Sequence, residues 1–234
     1  MNIIVTGASQ GIGFEIVKNL SQEGVHNIIA ISRDESKLKK LEALCKNINT
    51  NTNVNIIPYD LSDINYYDRL LPFINSQFGK VDVLINNAGY LVNKQIDDIT
   101  ERDFDQVFNI NMKAPLFLVK ALLPYFSENA HIVNISSLGG FQNSAKFPGL
   151  SLYSSAKAAL ACLSQCMAVE LNERKISVNC LAIGAVQTEM LEKAFPEYRA
   201  DVQSEDMGRY IAQFALEGHK LYNGKILAVS LSTT

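Results

Sequence analysis

Short apolar runs rich in β-branched residues alternate with longer stretches of helical periodicity along this chain, and few folds accept that alternation. The runs NIIVT (2–6), NIIAIS (27–32), VNIIPYD (54–60), VDVLINN (81–87), HIVNISS (131–137), KISVNCLAI (175–183) and GKILAVS (224–230) read as strands. Between them, the stretches 11–23, 34–46, 63–78, 100–126, 151–174 and 204–216 read as helices. In 151–174, Ala156, Ala159, Leu160, Leu163, Met167 and Leu171 fall on one side. Strands that are apolar throughout need cover on both faces, which a parallel sheet with crossover helices provides. Right-handed crossovers make such a sheet doubly wound. The expected fold is α/β: a Rossmann-type, doubly wound parallel sheet of seven strands with helices on both faces. No repeat, proline-rich linker or low-complexity run divides the 234 residues, so one domain over 1–234 is expected.

Composition narrows the function classes. Hydrophobic residues make up 47% and charged residues 19%, which suits a packed core and excludes disorder as the main state. A net charge of −3 gives no electrostatic handle on nucleic acid or an anionic membrane. No apolar run approaches the roughly 20 residues of a membrane span. No basic segment followed by an apolar core precedes the first strand, so no secretory signal is read and a cytoplasmic location is expected. Cys45, Cys162, Cys166 and Cys180 form no CxxC pair and are expected to be reduced thiols. His26, His131 and His219 stand far from any ligand spacing, so no metal is expected.

In a doubly wound sheet, ligands bind at the carboxyl ends of the strands, and the first strand-to-helix turn is the usual phosphate site. Here that turn reads TGASQGIG (6–13). Gly7, Gly11 and Gly13 allow positive φ and a close approach of backbone to a pyrophosphate, with Ser9, Gln10 and Ile12 between them. The helix that follows offers free N–H groups and a partial positive charge. A tight turn with close helix–strand packing is the alternative reading. A phosphate-loop NTPase is disfavoured, because no Gly-Lys-Ser/Thr follows.

Tyr153 and Lys157 stand at i and i+4 on one helix face. A phenol of reference pKa about 10 is a poor base at neutral pH. A neighbouring cation would lower that value and let the group exchange a proton with an alcohol or carbonyl. Lys157 is the expected cation. Ser137, at the end of the fifth strand run, can hydrogen-bond the same substrate oxygen. Asn111 lies in the 100–126 stretch with Pro115 four residues later. Proline has no N–H, so a kinked helix with a free carbonyl at Asn111 is expected. The second strand run ends on Ser32, at the position where a carboxylate would select NAD, and Arg33 follows. A guanidinium there suits a phosphate, so NADP(H) is expected over NAD(H), which remains the other candidate.

TGASQGIG, NNAG (86–89), Ser137 and the YxxxK pair Tyr153–Lys157, in that order, resemble the short-chain dehydrogenase/reductase family. The likeness covers positions 1 to about 190. It implies a homodimer or homotetramer that transfers a hydride between nicotinamide and a small carbonyl or alcohol, an acyl thioester such as a β-ketoacyl carrier-protein substrate included. It implies that Tyr153 is the general acid/base, that Lys157 tunes it and binds the nicotinamide ribose, and that Ser137 polarises the carbonyl. It implies that the main chain at Asn111 holds a proton-relaying water. Asn87, Ala88 and Gly89 would line the adenosine side, with Asp60 and Leu61 near the adenine. Gly184, Val186 and Thr188 would surround the nicotinamide amide.

The chain departs from that family in several places. Gln10 stands where NADP-preferring members often carry Lys or Arg, and Ile183 where proline is common. The stretch 138–152 is a few residues longer than is usual in that family, so Phe141, Phe147, Leu150 and Leu152 are expected either in the pocket wall or against a neighbouring subunit. A non-catalytic NAD(P)-binding sensor or scaffold is the alternative function. The intact set of Ser137, Tyr153 and Lys157 speaks against it.

Overall fold

The computed structural model describes residues 1–66, 68–141 and 144–231. In chain order the strands are β1 (Asn2–Thr6), β2 (Asn27–Ser32), β3 (Asn53–Pro58), β4 (Val81–Asn86), β5 (Phe126–Ser137), β6 (Ser177–Ile183), β7 (Val186–Gln187), β8 (Val202–Gln203) and β9 (Ile226–Val229). Seven of them form one parallel sheet in the order β3-β2-β1-β4-β5-β6-β9, while β7 and β8 pair separately. The winding runs outward from β1 in one direction and from β4 in the other, so it reverses between them.

The helices are α1 (Gly11–Glu23), α2 (Glu35–Ile48), α3 (Leu70–Gln77), α4 (Glu101–Phe108), α5 (Ala114–Leu122), α6 (Ser151–Glu170), α7 (Glu189–Ala194) and α8 (Ser204–Glu217). Alternation along each strand divides the core. Ile3 and Val5 of β1 pack with α1, α2 and α8 through Ile16, Leu38 and Ile211. Ile4 faces the other way and packs with α3, α5 and α6 through Leu70, Leu118 and Met167. Each fully buried side chain of this kind contributes about 1.5–3 kcal/mol. Exposed ion pairs such as Lys39–Glu35 contribute about 0–1 kcal/mol, so the two apolar layers hold the sheet.

Three expected elements change shape. The helix read over 63–78 forms only from Leu70. Pro72 fits an α-helix only in its first turn, so the helix cannot begin seven residues earlier. Instead Asp63 accepts from the Asn65 N–H (3.0 Å), and the buried Tyr66 hydroxyl donates to the Leu61 carbonyl (3.1 Å). Residue 67 of that stretch lies outside the described residues. The stretch 100–126 ends at Leu122, two residues before Pro124, and β5 starts at Phe126. At Asn109–Lys113 it passes through a π-helical turn in which the Ala114 N–H donates to the Asn109 carbonyl. Pro115 cannot donate to the carbonyl of Asn111 in the α pattern or to that of Ile110 in the π pattern, and the wider turn accommodates this. The expected kink thus takes the form of a π turn. No described helix is long and apolar enough to cross a membrane.

Candidate active site

A cleft of about 550 Å³ opens at the carboxyl ends of the strands, centred where the winding reverses between β1 and β4. One wall is built from the loop after β1. Gly7 and Gly11 take φ of 68° and 57°, in the left-handed region that favours glycine. A Cβ at Gly13 would sit 2.2 Å from the Gly7 carbonyl oxygen, so the first turn of α1 presses directly on the loop. Thr6 ties this loop to the one after β4. Its hydroxyl donates to the Ile85 carbonyl (3.3 Å) and accepts from the Asn87 and Ala88 N–H groups (both 3.0 Å). The Asn87 amide returns a bond to the Thr6 carbonyl (3.0 Å).

The α1 N-terminus has no side-chain cap and no acidic residue in its first turn, whereas Asp34 caps α2 and a Thr100–Asp103 capping box closes α4. The first-turn N–H groups of α1 therefore remain for an anion in the cleft. Further along, the Ser9 and Ser32 hydroxyls meet at 2.7 Å, and Arg33 lines the rim. Asp60 and Leu61 also line the cleft, although Asp60 Oδ1 already accepts from the Ser62 N–H (2.9 Å) and hydroxyl (2.8 Å). These features fit a dinucleotide: an uncapped helix start for the pyrophosphate, and hydroxyl and guanidinium donors at the far end.

The opposite wall comes from β5 and α6. Tyr153 and Lys157 both line the cleft. Lys157 is only 3% exposed, and its ammonium donates to the Ile135 carbonyl (2.8 Å). It also lies 5.7 Å from the centroid of the Tyr153 ring. No carboxylate pairs with it among the described residues. Burial pushes the Lys157 amine down to about 8 and the Tyr153 phenol up to about 12. The expected lowering of the phenol by its cation is therefore corrected for the free chain. The ammonium sits over the ring, desolvation dominates, and Tyr153 is a protonated phenol at neutral pH.

Small contacts fix α6 in place. The Ser136 hydroxyl donates to the Lys157 carbonyl (2.7 Å). A Cβ at Gly140 would lie 2.5 Å from the Ala158 nitrogen, so the turn after β5 lies flat on α6. Behind the wall, a buried amide chain runs from Asn86 to Asn134 (2.8 Å) and on to the Ser164 hydroxyl (2.8 Å), joining β4, β5 and α6.

Gly7, Ser9, Gln10, Gly11, Ile12 and Gly13 all line the cleft, as do Asn87, Ala88, Gly89 and Thr188. Asn111 is fully buried behind it. The Asn111 amide donates to the carbonyls of Tyr90 (2.7 Å) and Val107 (2.8 Å), and its oxygen accepts from the Tyr90 N–H (3.2 Å). A Cβ at Gly89 would meet Asn111 Oδ1 at 3.3 Å and Lys157 Nζ at 3.6 Å, so these three residues converge. Ser137 stands one residue beyond the lining Ser136 and accepts from the Gly139 N–H (3.2 Å). Gly184 and Val186 lie behind the rim, and Ile183 lines it instead. The Gly184 N–H is bonded to the Val229 carbonyl (2.9 Å), and Val186 is buried in β7.

Phe141, Phe147, Leu150 and Leu152 do not line the cleft, which corrects the first of the two expectations for 138–152. That segment closes on itself and on the 93–94 loop. Ser144 donates to the carbonyls of Leu138 and Phe141, and the Lys94 N–H donates to the Gly149 carbonyl (3.0 Å). Residues 142 and 143 of this segment, and 232–234 of the tail, lie outside the described residues. Sequence reasoning missed Tyr90, Ile110, Glu189, Met190 and Lys193 of the lining. None sits in a motif; only their nearness in sequence to Gly89, Asn111 and Thr188 hinted at them.

The short chain dehydrogenase family model matches residues 1–199. The chain belongs to the short-chain dehydrogenase/reductase family. It is 33% identical over 192 residues to a fatty acyl-CoA reductase of Acinetobacter baylyi, covering 80% of this chain and 63% of that protein. It is 30% identical over 191 residues to an uncharacterized oxidoreductase of Staphylococcus epidermidis, covering 81% and 79%. A short chain dehydrogenase of Burkholderia cenocepacia, solved in complex with NADP, superposes with a TM-score of 0.86 at 25% identity, covering 97% and 95%. The sequence matches and the superposition of this dehydrogenase/reductase agree on fold and family.

Proposed function

We propose that this chain reduces a carbonyl to an alcohol with NADPH as the hydride donor. One observation carries the reading: the half-buried Tyr153 and the buried Lys157 line the same cleft as the uncapped start of α1. When bound, the nicotinamide supplies the hydride. Tyr153, held as a phenol, donates its proton to the carbonyl oxygen, and the Ser137 hydroxyl donates a hydrogen bond to that oxygen. The Lys157 ammonium holds the ring in place and offsets the phenolate that proton donation leaves. Asn111 acts with the neighbouring main chain to hold the Tyr90 segment, and we assign its carbonyl to a water on the way to Lys157.

Arg33 at the end of β2, with Ser32 in place of a carboxylate, supports NADPH over NADH. The Burkholderia neighbour solved with NADP supports the same cofactor. For the substrate we infer a ketone carried on an acyl thioester, the β-ketoacyl form being the leading candidate, with the thioester bond itself left intact; the Acinetobacter relative named for fatty acyl-CoA supports an acyl-thioester ligand. Exposed Phe104 on α4 and exposed Val169 and Cys166 on α6 support a homodimer or homotetramer through those faces.

The test is NADPH and NADH binding by nucleotide fluorescence, followed by turnover on aldehydes, ketones and acyl thioesters, with Tyr153→Phe as control. Turnover that prefers NADPH and disappears with Tyr153 is the expected result. Binding without turnover on the whole panel would overturn the enzyme reading.

A further inference from the structure

At the ribose end of the cleft, one cation is held in a place that helix energetics do not favour. Lys37 is the third residue of α2, where the helix start is positive and a capping pattern would carry Glu or Gln. Its side chain does not point away into solvent. The ammonium donates to Oε1 of Gln10 in the glycine loop, and to both carboxylate oxygens of Glu189 on α7 at 3.3 and 3.4 Å. Gln10, Arg33, Asp34 and Glu189 all line the cleft there. The carboxylates are not equally engaged. Asp34 is committed to its own helix, with Oδ1 accepting from the Lys37 N–H (3.0 Å) and the Ser36 hydroxyl (2.8 Å). Glu189 is about half exposed and its contact with Lys37 is long, so that pair holds weakly.

Arg33 and Lys193 are the cations of the lining beside the carboxylates of Asp34 and Glu189, and Lys37 adds a further cation that reaches this rim from α2. A phosphate monoester carries about −1.5 to −2 at neutral pH and has three acceptor oxygens, so it competes well against one solvated carboxylate for the ammonium. We infer that Lys37 is a specificity-determining cation for an adenosine 2′-phosphate, held at the ribose end of the cleft by Gln10 and passed from Glu189 to the phosphate. This rests on the NADPH reading above. It assigns part of that preference to a residue from α2 reaching over the glycine loop.

The test is calorimetric titration of the full chain with 2′,5′-ADP and with 5′-AMP, ligands that differ by the 2′-phosphate and need no turnover. Wild type is compared with Lys37→Met, Lys37→Arg and Arg33→Ala, after thermal melts show that each variant is folded. The expected result is a wild-type preference for 2′,5′-ADP. Lys37→Met should lose about tenfold in affinity for 2′,5′-ADP. Its affinity for 5′-AMP should stay within about twofold, and Lys37→Arg should keep most of the preference. If Lys37→Met binds 2′,5′-ADP like wild type while Arg33→Ala does not, the inference fails and the NADPH reading stands. Equal losses on both ligands would make Lys37 a structural residue and overturn the inference as well. A wild-type protein that does not distinguish the two ligands would overturn both readings together.

Discussion

The wall that β1 and α1 give to the cleft is made of backbone, whereas the wall from β5 and α6 is made of buried side chains. On the first side, room is made by leaving atoms out: a Cβ at Gly7 would lie 2.8 Å from the Ala88 Cα, and one at Gly13 still closer to its neighbour. On the second side, Lys157 is taken out of water with one carbonyl and one aromatic ring for company. The two walls should therefore fail differently. The backbone wall is indifferent to pH and intolerant of one added carbon. The side-chain wall is sensitive to pH, and it should gain stability when its function is removed.

The largest effect expected is on the side-chain wall. Tyr153→Phe should lower kcat by about 10²–10⁴-fold, the usual worth of a positioned acid. NADPH affinity, measured by fluorescence titration, should stay within about twofold. A loss of binding as large as the loss of turnover would mean that the two walls are not separable.

Next in size is Lys157→Met, expected to reduce turnover about a hundredfold while raising Tm by about 3 °C at pH 7. Burial holds the folded amine down to about 8, against 10.5 for an ordinary lysine, so the unfolded chain binds the extra proton between those values. Wild-type stability should rise with pH across that window, and the advantage of the Met variant should shrink from pH 8 to pH 10.5. Melting curves at several pH values read this directly; a constant difference would show that the lysine is not penalised by burial.

The backbone wall responds to addition. Gly13→Ala should cost about 1–3 kcal/mol of stability in chemical denaturation, because its new carbon meets main chain that cannot move aside. Gly79→Ala is the control, since no atom lies within 4 Å of its Cβ position. Smallest is Thr6→Val, which leaves the Asn87 and Ala88 N–H groups without their shared acceptor. About 1–2 kcal/mol and a several-fold weaker nucleotide Kd are expected. If Thr6→Val instead abolishes turnover at saturating NADPH, the loop after β4 belongs to the chemistry rather than to the nucleotide wall.

The same division explains what the sequence disclosed. Strands such as NIIVT were legible because burial on both faces leaves a local signature, and the glycine loop because φ constraints act on single residues. The two prolines that limit the helices, Pro72 and Pro124, were equally local signals, and the reading of 63–78 and 100–126 passed over them. The early start of β5 was less legible. Phe126 pairs with Val81, then the register slips before His131 meets Val83, with Asn129 in the left-handed region between. Geometry that depends on distant partners left no local trace. Nothing near Lys37 announces Gln10 or Glu189, and nothing near Phe147 announces that it stays out of the cleft lining. The direction of the Tyr153 shift was hidden for a related reason. The i, i+4 spacing specifies that the lysine is close, but not that it lies over the ring or that it is itself buried.

The π turn at Asn109–Lys113 can be restated as a matter of rotational phase. Each residue advances an α-helix by about 100°, and a wider turn takes up one residue beyond what a continuous helix would need. That residue sets α5 out of phase with α4. It lets Asn111 face Tyr90 while Leu118 and Leu122, one turn apart, face the sheet. Deleting one residue from 109–113 would leave a straighter helix by every local measure. It would also turn either the amide away from the cleft or the leucines away from the core, because a single phase cannot serve both.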